Sequence, residues 1–202
     1  MSALQLDIQQ QSSAFQAAIM RSDWGLALSL ARSLEEAMPR NAAIAYNKGL
    51  VLRRLGREDE AALALRHAID LEPRHANAQF ELAACLMETG NLDDAAKGFR
   101  DYVHIMPDDA DAHLNLGNVL VRLGRAQEAL EYLNRAHRRL DNMESATALA
   151  IALRETGDLD GCAAALTNIA SGPDGLALQM KILTQGAKGR FGLKPGQVFP
   201  AR

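Results

Sequence analysis

ANAQFELAACLMETGNLDDAAKGFRDYVHIMP, residues 76–107, holds one complete structural unit, and its pattern returns along the chain. From Ala76 to Met87, the apolar residues Ala78, Leu82, Ala83 and Leu86 recur at three- and four-residue spacing, the stripe of an amphipathic helix. Gly90-Asn91 stops that helix, because glycine accepts the left-handed conformation at a helix end and asparagine nearly does. Asp93 and Asp94 then open a second helix, where carboxylates meet exposed amides and the positive end of the helix dipole. Ala95, Phe99, Tyr102 and Val103 share one side of it, and Pro107 ends it. A helix hairpin with a short turn follows, and no strand-like alternation competes with it.

The same design repeats at a fixed step. Pro39, Pro73 and Pro107 are 34 residues apart, and so are Gly56, Gly90 and Gly124. Each proline closes a parallel series: Ala27-Ala31-Leu34-Pro39, Ala61-Leu65-Ala68-Pro73 and Ala95-Phe99-Tyr102-Pro107. A fourth series, Ala129-Leu133-Ala136, has Asp141 where proline would stand. The turns Gly56-Arg57-Glu58-Asp59-Glu60 and Gly124-Arg125-Ala126-Gln127-Glu128 occupy equivalent places. Self-similarity at this period means stacked copies of one supersecondary unit, which points to a binding scaffold rather than an enzyme.

Segments 42–75, 76–109 and 110–142 resemble tetratricopeptide repeats. The resemblance rests on small residues at the eighth, twentieth and twenty-seventh positions and proline at the thirty-second. Here these are Gly49, Ala61, Ala68 and Pro73; Ala83, Ala95, Tyr102 and Pro107; and Gly117, Ala129 and Ala136. Tyr102 departs from the small residue and predicts a wider helix contact. The family's bulky residue near the fourth position is weak, being Ala45, Gln79 and His113. The resemblance implies an all-α fold, a right-handed solenoid of about five stacked antiparallel hairpins over residues 1–186. Its units are 8–41, 42–75, 76–109, 110–142 and 143–171, followed by a capping helix at 174–185 and a basic tail at 187–202 that contains glycine and proline. In the first unit Ser22-Asp23 replaces the turn glycine, and a polar outer face suits a terminal repeat. The fifth unit is one residue shorter, since Gly157 lies 33 beyond Gly124. Leu149, Ala150, Leu153, Cys162, Leu166 and Ile169 then fall on its core positions, and Leu176, Met180 and Leu183 line the capping helix.

In proteins of this resemblance, side chains at the second, fifth, ninth and twelfth positions of each first helix point into a concave groove. Those positions, with neighbours at the groove's margin, nominate Tyr46, Leu50, Arg53, Asn77, Phe80, Met87, Leu114, Asn118, Val121, Arg122, Ile151 and Arg154. Asn47, Glu81 and Asn115 lie at its edge. An apolar strip bordered by arginine and asparagine suits an amphipathic helix or an extended peptide. The same residues could instead pack neighbouring first helices or mediate self-association. A clamp for a chaperone's C-terminal carboxylate is disfavoured, because Ala43, Tyr46, Asn77 and Phe80 stand where cations would help.

Other chemistry finds little support. The five histidines show no paired ligand spacing, and Cys85 and Cys162 form neither a disulfide framework nor a metal motif. The acidic runs are explained by helix starts, and Asp108, Asp109 and Asp111 lack the glycine and glutamate of a calcium loop. No cofactor, metal or catalytic group is therefore expected. A formal charge of −3 argues against general nucleic-acid binding. The start, MSALQLDIQQQSS, lacks the pattern of a signal peptide, and no long apolar run predicts a membrane span. The expectation is a cytoplasmic, non-catalytic adaptor for a protein or peptide partner. A secretion-type chaperone, the regulatory module of a larger enzyme such as a transferase, and a self-assembling scaffold are the competing readings. After Asp174 the chain has five cations and no acid, and Phe191, Leu193, Val198 and Phe199 are costly to leave in water, so the tail is expected to dock on the acidic repeats or on a partner.

Overall fold

The computed structural model describes residues 3–167 together with Lys181 and Ile182. It is all-α: ten helices and no strand among the described residues. They fall into two compact units, Met1–Ile105 and Met106–Arg202. The first contains α1 (Ala3–Met20), α2 (Trp24–Ala37), α3 (Ala42–Arg54), α4 (Glu58–Leu71), α5 (Ala76–Glu88) and α6 (Leu92–Ile105). These pack as the hairpins α1–α2, α3–α4 and α5–α6, with α2 against α3, α4 against α5, and α3 touching α5. The second contains α7 (Ala110–Arg122), α8 (Ala126–Leu140), α9 (Met143–Thr156) and α10 (Leu159–Leu166). There α7–α8 and α9–α10 pair, α8 packs on α9, and α7 touches α9. Stacked hairpins are thus the architecture of each unit.

Local chemistry sets the boundaries. Gly56, Gly90, Gly124 and Gly157 all take positive φ, between 69° and 88°, which glycine adopts without a Cβ penalty. Ser22 takes the same left-handed form, at φ 57°, where the first hairpin lacks its glycine. Asp23, Asn41, Asp109, Asn142 and Asp158 cap helix starts by accepting backbone N–H groups. Arg57 and Arg125 provide no such cap; instead each reaches the glutamate three residues on, Glu60 at 2.6 Å and Glu128 at 2.5 Å.

The repeat's small residues mark close helix approaches. A Cβ added to Gly49 would lie 2.7 Å from Leu65 Cγ, and one added to Gly117 would lie 2.4 Å from Leu133 Cγ. Both leucines are fully buried. In the intervening repeat Ala83 replaces the glycine, and relief comes from the facing helix, where Gly98 would place a Cβ 3.0 Å from that of Ala83. Tyr102 is buried and meets Phe80 edge-on, with ring centroids 5.2 Å apart.

The weak fourth position has a use that the family pattern does not reveal. Gln79 Nε2 donates to the carbonyl of Pro73 at 2.8 Å, and His113 Nε2 donates to that of Pro107, also at 2.8 Å. Each side chain ties the start of a hairpin to the proline six residues upstream. His113 is 2% exposed, and contact with a carbonyl requires its proton on Nε2.

Asp141, at the proline position of the fourth repeat, has φ 42°. Proline, held near −65°, could not adopt it. The linkers before α3, α5 and α7 have four residues, whereas only Asp141 and Asn142 separate α8 from α9. The left-handed aspartate and the shortened spacing are one structural change. The capping helix expected at 174–185 lies outside the described residues apart from Lys181 and Ile182, which are helical. The tail at 187–202 and Ile169 lie outside them entirely.

Candidate binding surface on the first helices

In the first unit the nominated residues lie on α3 and α5. Tyr46 is half-buried, its ring 4.7 Å from that of His75, and burial followed by the charge of Glu81 raises its phenol above the usual range. One turn on, Leu50 is half-buried beside Arg53. Burial opposes the charge on Arg53, yet its Nη1 donates to Glu81 and its Nε to Glu58 at 3.4 Å, and the carboxylates raise its pKa on balance. Leu50, Arg53, Arg54 and Glu81 line an open depression of about 460 Å³. Asn77 is exposed and Met87 half-buried. Phe80 is more integrated than its position implied: it packs on Phe99 at 5.5 Å as well as on Tyr102.

A second depression, of about 270 Å³, lies among α1, α2 and α3. Phe15, Ile19, Leu34 and Ile44 line it together with Ser12, Gln16 and Asn47. The sequence flagged Asn47 but not α1, whose repeat pattern is too degenerate to place its residues.

In the second unit Asn118 and Val121 are half-buried on α7 and Arg122 is exposed, while Leu114 is only 4% exposed. Leu114 thus offers a ligand almost no surface. On α9, Ile151 packs against a cluster formed by Ala150, Cys162, Leu166 and Ile182. Arg154 is 8% exposed; its Nη1 donates to the carbonyl of Ile182 at 2.8 Å and its Nη2 reaches Glu155 at 2.5 Å. The chain's own C-terminal segment therefore engages an arginine that the resemblance assigned to a ligand.

With this geometry in view, one tetratricopeptide repeat family profile matches residues 13–71 and 98–144, just over half of the chain, and another matches residues 52–103. The chain belongs to the tetratricopeptide repeat family. In that general sense it is a protein-interaction scaffold. No curated relative matches this repeat protein. Among solved structures, MamA 41-end from Desulfovibrio magneticus RS-1 is 18% identical and superposes with a TM-score of 0.78, covering 90% of this chain and 98% of that one. The MamA RS-1 ArsTM double mutant gives 17%, 0.76, 90% and 96% in the same order. A further MamA crystal structure gives 16%, 0.74, 93% and 98%. At such identities the likeness establishes the fold.

The repeat protein's reactive groups are quiet where they are described. No group of three or more His, Cys, Asp or Glu among the described residues could hold a metal ion. Burial, then a hydrogen bond to Glu58, pushes the Cys85 thiol up to about 12, and burial raises that of Cys162. Neither is the lowered thiol of a nucleophile. No described helix is long and apolar enough to cross a membrane.

Proposed function

We propose that this repeat protein is a non-catalytic adaptor that holds a helical or extended segment of a partner protein on the first helices of its N-terminal unit. The supporting observation is the open depression in which Leu50 lies beside the Arg53–Glu81 pair. Leu50 and Met87 would take apolar side chains, while Asn77 and the ion pair would meet backbone or polar groups of the ligand. Asn118, Val121 and Arg122 on α7 would form a smaller surface of similar character in the second unit. The two free thiols suit a reducing compartment, and we place the protein in the cytoplasm on that ground.

The test is a selection of helical peptides on the intact chain, followed by affinity measurement on the Leu50→Asp/Met87→Asp variant. Selected peptides should lose at least about tenfold in affinity, on the order of 1.4 kcal/mol, while the helical circular dichroism is retained. Peptides that bind the variant equally well would remove this face from consideration.

A further inference from the structure

Arg32, Lys48, Leu52, Glu60, Leu63 and His67 line a depression of about 220 Å³ between α2, α3 and α4. Its charges are unequally satisfied. Glu35 receives Lys48 Nζ at 2.5 Å and lies 3.5 Å from His67 Nδ1. Glu60 is taken by Arg57, whose Nε and Nη2 each donate to one of its oxygens at 2.6 Å. Arg32, its side chain 55% exposed, approaches Glu60 only to 3.9 Å. Three permanent cations, Arg32, Lys48 and Arg57, therefore share two carboxylates, and the donors left unmet are those of Arg32. The local surplus is positive in a chain whose formal charge is −3. An exposed pair at such a distance contributes little, so Arg32 can turn to a better acceptor at small cost. On α4, Leu63 is 64% exposed, while Leu52, which lines the same depression, is buried.

We infer that this depression is a second docking surface, for a helical segment of a partner protein that presents a carboxylate and an aliphatic side chain one turn apart. The spacing comes from α4 itself. Glu60, which marks where Arg32 reaches, and Leu63 are three residues apart on that helix, and such neighbours have Cβ atoms roughly 5–6 Å apart. A ligand that meets both Arg32 and Leu63 must repeat that separation, as Asp or Glu does with Leu or Ile three or four residues away on a helix. Arg32 supplies the planar fork that takes both oxygens of a carboxylate, and the two leucines take the aliphatic group. A cationic segment is disfavoured, because Glu35 and Glu60 are already engaged and Arg32 would repel it. The surface uses different side chains from the one proposed on α3 and α5 and does not depend on that proposal.

The experiment uses the full-length chain. A phage-displayed library of helical peptides is selected on wild type and counter-selected on the Leu63→Asp variant. Recovered peptides should carry Asp or Glu three or four residues from Leu or Ile. Measured by fluorescence anisotropy, Arg32→Glu should weaken these peptides at least about tenfold, because it sets like charges opposite each other. Replacing the peptide's acid by lysine should recover part of that loss on the Arg32→Glu chain and on no other. The Leu50→Asp/Met87→Asp variant should bind the peptides unchanged, and a loss there would assign them to the other surface and overturn the inference. Recovery of no peptide, of peptides without an acid, or of peptides indifferent to Arg32→Glu would overturn it too. So would sedimentation showing self-association that Leu63→Asp abolishes, since the face would then belong to a second copy of the chain. Both side chains are more than half exposed, and circular dichroism checks that each variant stays helical. Should Arg32→Glu lose that signal, Arg32→Ala carries the same test.

Discussion

Replacing Gly117 by alanine tests the packing logic of the repeat at its tightest point. The new Cβ would lie 2.4 Å from both Cγ and Cδ2 of Leu133 and 3.3 Å from Cδ1, so the leucine must move. Leu133 is fully buried, and forcing such a side chain from its place costs about 1–3 kcal/mol. Alanine favours a helix interior over glycine by roughly 1 kcal/mol, which offsets part of the loss. A net destabilisation of about 0–2 kcal/mol results. Urea unfolding followed by circular dichroism reads it directly. Leu133→Ala alone should cost about 2–5 kcal/mol, but in the double variant the alanine methyl enters the space the leucine vacated. The two losses should therefore fall short of additivity by at least about 0.5 kcal/mol. A neutral or stabilising Gly117→Ala, with strict additivity in the double variant, would refute the claim that this glycine exists to admit Leu133.

The His113 tether, the Ser22 turn and the buried Cys85 thiol can each be tested in the same way. His113→Gln should be close to neutral, because Gln79 performs the equivalent tether one repeat earlier, whereas His113→Leu should lose about 1–2 kcal/mol by stranding the Pro107 carbonyl; equal losses in a urea titration would sink the tether. Ser22→Gly should gain up to about 1 kcal/mol, since a left-handed non-glycine costs about 1–2 kcal/mol and glycine's greater unfolded entropy returns part of it; unchanged stability would contradict this. The raised Cys85 thiol favours the neutral form in the fold, so its contribution is complete below about pH 8.5, where the unfolded thiol titrates, and fades as pH rises towards 12. Between pH 8 and 10.5 the melting temperature of wild type should accordingly fall more steeply than that of Cys85→Ala, and parallel slopes would deny the effect.

What could be read from the residues is the part that repeats. Glycine at four of the five turns, glycine or alanine at the close approaches and proline after three of the second helices carry their meaning in their spacing, so the hairpins were legible. The exceptions are places where one residue does a job of its own. Gln79 and His113 look like failures to supply a bulky side chain, and only coordinates reveal that they reach back to a carbonyl. Asp141 reads as a missing proline, whereas its backbone has turned left-handed in a linker of only two residues between α8 and α9. The nominated surface was partly legible, since position along a helix predicts which way a side chain points but not what lies opposite. Nothing in the sequence brings Phe99 and Tyr102 to Phe80, buries Leu114, or delivers the carbonyl of Ile182 to Arg154, because those depend on partners far along the chain.

The reach from His113 to Pro107, and from Gln79 to Pro73, also bears on how such an array can be taken apart and rebuilt. The natural cassette runs from a proline through the helix that follows it, not from one helix start to the next. A chimaera joined just ahead of Pro107 would carry its own fastening into any host, whereas a junction between Pro107 and His113 would ask two foreign halves to meet by chance.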